Sequence, residues 1–73
     1  MRTLNNLQSY FKRFNVSAEF IDLGGDEIGV MLKNKAQYKL ARSIAENLGF
    51  AVLQPFEYNY NRNTKFEGDM VVY

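Results

Sequence analysis

Along the first fifteen residues, apolar side chains recur at Leu4, Leu7, Phe11 and Phe14, the i, i+3, i+7, i+10 spacing of a single helical stripe. The pattern predicts a first helix from Thr3 to Phe14, with Thr3 as its N-cap and Asn15 able to take the left-handed conformation that ends it. From Val16 the period drops to two. Val16, Ala18 and Phe20 alternate with Ser17, Glu19 and Ile21, which predicts a strand to Leu23. Gly24-Gly25-Asp26 then supplies the permissive backbone of a tight reversal, and Ile28, Val30 and Leu32 continue the alternation as a second strand, completing a hairpin.

The helical period returns after Asn34. Ala36, Leu40, Ala41, Ile44, Ala45 and Leu48 gather on one side, while Lys35, Lys39, Arg42 and Glu46 lie almost opposite. Asn34 with Gln37 resembles a capping box, and Gly49 followed by Phe50 suits a Schellman-type ending, so a second helix is expected from Asn34 to Leu48. Beyond it, Phe56, Tyr58 and Tyr60 occupy every second position, which predicts a third strand over Ala51 to Tyr60. Pro55 cannot donate to a ladder and therefore marks a bulge or an edge in that strand. An odd-length loop centred on Asn61, Arg62 and Asn63 would return the chain into a fourth strand, Phe66 to Tyr73, with Tyr58, Tyr60, Phe66 and Met70 on a common face.

The expected fold class is α+β: a two-layer sandwich of order α-β-β-α-β-β, with two helices packed on one face of a four-stranded sheet. If the second and third strands run parallel, the second helix is a right-handed crossover between them. Residues 1–73 form a single domain, with no internal repeat and no linker. A chain of this length buries roughly 60% of the surface it exposes when unfolded, and an apolar content of 47% supplies a core for that burial.

Composition narrows the chemistry. Cysteine is absent, which removes disulfides and thiolate metal sites and fits a cytoplasmic setting. The N-terminal residues lack the apolar run of a signal peptide, and no stretch approaches the roughly 20 apolar residues of a spanning helix, so no membrane association is expected. Histidine is also absent, and with it the commonest general base and neutral metal ligand. The frequent Asn, Lys and Tyr would suit an AT-rich genome such as that of a virus or mobile element.

The net charge is only +1, but the charges are segregated. Residues 1–18 carry Arg2, Lys12 and Arg13 and no acid; residues 19–27 carry Glu19, Asp22, Asp26 and Glu27 and no base; residues 28–45 carry Lys33, Lys35, Lys39 and Arg42 alone. The outer surface of the two helices is therefore expected to be basic, and the first hairpin acidic at its tip.

Two binding readings follow. In the first, nucleic acid associates with the helical layer through Lys33, Lys35, Lys39 and Arg42, with Arg62 and Lys65 as auxiliaries and Tyr58 and Tyr60 as stacking rings. Lys33 and Lys35 flank Asn34 at a helix N-terminus, where amides and lysines together can hold a phosphate. In the second, the protein is a protein-binding module, an inhibitor or adaptor, with Tyr58, Tyr60 and Tyr73 as anchors and the acidic hairpin as a steering patch. An unpaired edge strand would also permit a homodimer by sheet extension. Of the aromatics, Tyr60 is expected to be the exposed ring, and Phe56 and Phe66 to pack beneath the helices.

Other sites are disfavoured. Asp22, Asp26 and Glu27 lack the spacing and number of ligands of a calcium loop, so no metal is expected. Gly24, Gly25 and Gly29 have no phosphate-loop lysine and precede a strand, which leaves turn chemistry as their explanation. Glu57, Glu67 and Asp69 would meet across the second hairpin, yet no histidine or activated nucleophile accompanies them; neither catalysis nor a cofactor is expected. The chain also lacks the aromatic octamer of RNA-recognition domains, the GxxG loop of KH domains and zinc-finger spacing, and its element order differs from that of double-stranded RNA-binding domains.

Overall fold

A computed structural model describes residues 3–63 and 65–73. In chain order the elements are α1 (Leu4–Arg13), β1 (Ala18–Gly24), β2 (Glu27–Leu32), a short 3-10 turn (Lys35–Gln37) leading into α2 (Tyr38–Asn47), β3 (Val52–Leu53), α3 (Pro55–Arg62) and β4 (Met70–Val72). The protein is α+β, with one four-stranded sheet of order β1-β2-β4-β3 in which every neighbouring pair is antiparallel. β4 is central, and β2 and β3 flank it running in the same direction.

Local chemistry sets the helix ends. Thr3 caps α1 by accepting from the Asn6 N–H at 3.1 Å. Asn15, at φ 58°, closes the helix with the double bond of a Schellman turn: Val16 N–H to Phe11 carbonyl at 2.8 Å and Asn15 N–H to Lys12 carbonyl at 3.1 Å. Gly49, at φ 96°, does the same for α2, with Phe50 N–H on the Ala45 carbonyl and Gly49 N–H on the Glu46 carbonyl, both at 3.0 Å. The capping box is only half made. Asn34 accepts from Ala36 N–H at 3.0 Å, while the Gln37 amide reaches across to the Asn15 carbonyl at 2.9 Å.

α1 and α2 share one face of the sheet, as their apolar stripes require. Leu7 and Phe11 from α1, and Ala41, Ile44 and Ala45 from α2, are buried against Ile28, Val30, Leu32, Met70 and Val72 of the strands. The Phe11 and Phe20 rings meet with centroids 5.2 Å apart. Val71, between Met70 and Val72, points the other way, because successive strand residues alternate. It packs with Tyr58 and Phe66 in a separate cluster that Leu23, Met31 and Leu53 border.

The second cluster overturns the expected C-terminal hairpin. Residues 55–62 are helical, the sheet carries a layer on both faces, and the two-layer reading holds for α1 and α2 alone. Pro55 sits in the first turn of α3, where its missing N–H costs nothing and its φ is already helical. Glu57 lies in the positive first turn, Arg62 in the last, and Asn63 ends the helix at φ 53°. The third strand shrinks to Val52–Leu53 and the fourth to Met70–Val72, the backbone pairing between Ala51 and Tyr73 adding one more rung.

Gly29 also departs from the turn reading. Gly24 and Gly25 hold positive φ in the reversal, but Gly29 lies within β2 and is buried. A Cβ there, or on Gly68, would run into the ring of Phe66. The two glycines form a slot for that ring, which is buried on the face opposite α1 and α2 rather than beneath them.

Candidate functional site

Of the six cations of the nucleic-acid reading, Lys35, Arg42 and Arg62 are held in ion pairs. Lys35 Nζ lies 2.7 Å from Asp69 Oδ2 and donates to the Leu32 carbonyl at 2.8 Å. Asp69 Oδ2 also accepts from Leu32 N–H at 2.6 Å, so Lys35 and Asp69 tie the end of β2 to the segment entering β4. Arg42 pairs with Glu46 along α2 at 3.3 Å. Arg62, placed by sequence in a hairpin turn, is instead in the last turn of α3 and reaches Glu27 at the first hairpin, 2.6 Å away. Lys33, Lys39 and Lys65 are exposed and have no ion-pair partner among the described residues. Lys33 follows β2, Lys39 is on α2, and Lys65 adjoins Phe66, which packs on the other face.

The three tyrosines of the protein-binding reading also separate. Tyr58 is 4% exposed, inside the second cluster, and is lost as a surface anchor. Tyr60 projects from α3, and Tyr73 follows β4 at the sheet. Phe56, expected beneath the helices, is on the surface; it and Tyr60 are each 80% exposed. The reason is helical geometry: Tyr58 turns α3 inward, and Phe56 and Tyr60, four residues apart, stack along its outer side as a ridge. Asn59 anchors the helix from within, its amide donating to the Phe66 carbonyl and accepting from the Phe66 N–H, both at 2.9 Å. Glu57 and Asn61 border the ridge.

An apolar opening lies on the opposite face of the sheet, between α1 and α2. Tyr10 and Phe14, Leu40, Ser43, Ile44, Asn47 and Leu48 line a groove of about 370 Å³. Tyr10 and Phe14 are four residues apart, one step around α1 from the core stripe of Leu7 and Phe11, and Leu40 holds the matching place beside Ala41 and Ile44. Tyr10, Phe14 and Leu40 are all exposed, and Phe14 is 49% so. Sequence periodicity assigned Phe14 and Leu40 to the core; they stand at its margin and form the groove's walls.

Cations flank the groove. The Arg13 guanidinium carbon lies 5.2 Å from the centroid of the Tyr10 ring, and Lys39 lies one step around α2 from Ser43. Glu46, the acid in this pair of helices, is engaged by Arg42. In the acidic hairpin, Asp22 accepts from Gly24 N–H at 2.9 Å and Glu27 pairs with Arg62 of α3. Among the described residues no three acidic side chains are grouped to hold a metal ion, and no helix is long and apolar enough to cross a membrane.

Comparison of the chain with protein-family models, with curated proteins and with solved structures gives no match.

Proposed function

We propose that this protein is a non-catalytic binding module and that its partner is another protein, taken up in the groove between α1 and α2. One observation carries this reading: Tyr10, Phe14 and Leu40 stand exposed side by side around an apolar hollow. Clustered aromatic and aliphatic anchors of this kind gain from desolvation by a partner, and a groove between two helices suits the apolar face of a third. The flanking Arg13 and Lys39 favour acidic residues beside that face.

Nucleic acid is the competing partner. That reading needs free cations gathered on one surface, whereas Lys35, Arg42 and Arg62 are each engaged by a carboxylate and Lys65 lies toward the α3 side. A photo-crosslinking residue placed at Ser43 in the host cell, in parallel with mobility-shift titrations at low salt, separates the two. The expected result is a protein adduct that disappears with Leu40→Glu, and no nucleic-acid shift sensitive to Lys35→Glu, Lys39→Glu and Arg42→Glu together. A salt-dependent shift abolished by that triple reversal, with no groove-dependent adduct, would overturn the proposal.

A further inference from the structure

The ridge on α3 and the groove between α1 and α2 are chemically complementary and face away from each other. Phe56 and Tyr60 project from one side of the sheet; Tyr10, Phe14 and Leu40 open on the other. No single copy can bring them together. We infer that copies of this chain associate head to tail, the Phe56–Tyr60 ridge of one seated in the α1–α2 groove of the next. This rests on the groove being a protein-binding surface, and it names the occupant.

Geometry and charge select this pairing. A short helix presenting two large side chains at i and i+4 is the ligand that a groove between two helices accepts. The ridge carries Glu57 at its border, and Glu19, paired across the ladder with Met31, lies on the same face. Arg62, the cation of α3, is already held by Glu27, which leaves Lys65 against Glu19, Glu57 and Glu67. The groove is bordered by Arg13 and Lys39, with its neighbouring acid Glu46 neutralised by Arg42. A basic rim therefore meets an acidic one.

The symmetric alternatives bring like charges together. Two grooves face to face would set Arg13 and Lys39 against their own copies, and two ridges would oppose Glu57 to Glu57; like-charge juxtaposition disfavours both. A heterologous contact leaves a free ridge at one end and a free groove at the other, so assembly continues by addition. An eight-residue helix makes a small contact. Interfaces below about 1,200 Å² are typically weak, so the association is expected to be concentration-dependent.

Sedimentation of the full chain tests the arrangement. The weight-average mass of the wild type is expected to climb past two chains between roughly 10 μM and 1 mM, in keeping with a small interface. The association constant should fall several-fold when salt rises from about 0.05 to 0.5 M, which shortens the screening length. Phe56→Ser with Tyr60→Ser, in a chain whose circular dichroism is unchanged, removes the ridge; Leu40→Glu, or separately the milder Ser43→Glu, closes the groove. Each variant alone should remain a monomer. An equimolar mixture of the ridge variant with a groove variant should form a dimer that stops at two chains, because one complete interface is left.

A wild type that stays monomeric across the range, or association that survives both Leu40→Glu and Ser43→Glu, would overturn the inference. So would a mixture that fails to pair while the wild type associates. In the monomeric case, a groove-dependent adduct from Ser43 with a different protein leaves the protein-binding reading standing, so the two ideas fail separately.

Discussion

The two faces of the sheet are held by different means. On the α1–α2 face, Leu7, Phe11, Val30, Leu32, Ala41, Ile44, Met70 and Val72 bury a continuous apolar layer, and its stability comes from area. On the α3 face, Tyr58, Phe66 and Val71 form the buried apolar cluster, and what fixes them is specific: the ring slot over Gly29 and Gly68, the paired bonds between Asn59 and the Phe66 backbone, and the Arg62–Glu27 bridge. A layer held by area tolerates the loss of one polar contact, whereas a layer held by pins does not. The α3 side is accordingly the part of the molecule expected to open first, since local openings follow low apolar contact and few constraints.

Four substitutions probe this contrast, in descending size of effect. Phe11→Ala, at the centre of the larger layer, should cost about 3–5 kcal/mol, a large share of the roughly 5–15 kcal/mol available to a domain. Urea unfolding would show it, and a smaller loss than that of Gly68→Ala would reverse the ranking of the two faces. Gly68→Ala drives a methyl into the Phe66 ring and toward the Val30 carbonyl, an overpacking expected to cost about 1–3 kcal/mol. Its cost should shrink in a Phe66→Leu background, the non-additivity that a shared contact produces.

Asn59→Ala leaves the Phe66 backbone without its two side-chain partners, at about 1–2 kcal/mol. Hydrogen exchange should accelerate in α3 and residues 65–69 while amides of α1 and α2 keep their protection; uniform acceleration would mean that the faces open as one unit. Phe56→Ser should change stability by less than about 0.5 kcal/mol, because the ring is already in water.

The same contrast governs how much was legible in the sequence. α1, the β1–β2 hairpin and α2 announce themselves because each buries one face against a large layer, and burial imprints a period on the chain. Asn15 and Gly49 add stop signals at the two helix ends. α3 buries a single side chain, Tyr58, so it leaves no helical period, and the spacing of Phe56, Tyr58 and Tyr60 imitates a strand. The signals that reveal it were present in Pro55 at its start, Glu57 in its first turn and Asn63 at its end. The cations misled for another reason. Lys35 finds Asp69 and Arg62 finds Glu27 across long stretches of chain, and such pairs exist only once the sheet order is known. The groove was half visible: Phe14 and Leu40 were read as core, and Tyr10, just off the stripe, is what turns that margin into a surface.

The place of β4 in the sheet has a consequence for how the chain reaches this state. The strand that joins β2 to β3 is made after both of them, so while the polypeptide is being synthesised the hydrogen-bonding edge of β2 that β4 takes has no mate. For that interval the hairpin can recruit any extended segment nearby, and the arrival of Met70–Val72 withdraws the invitation.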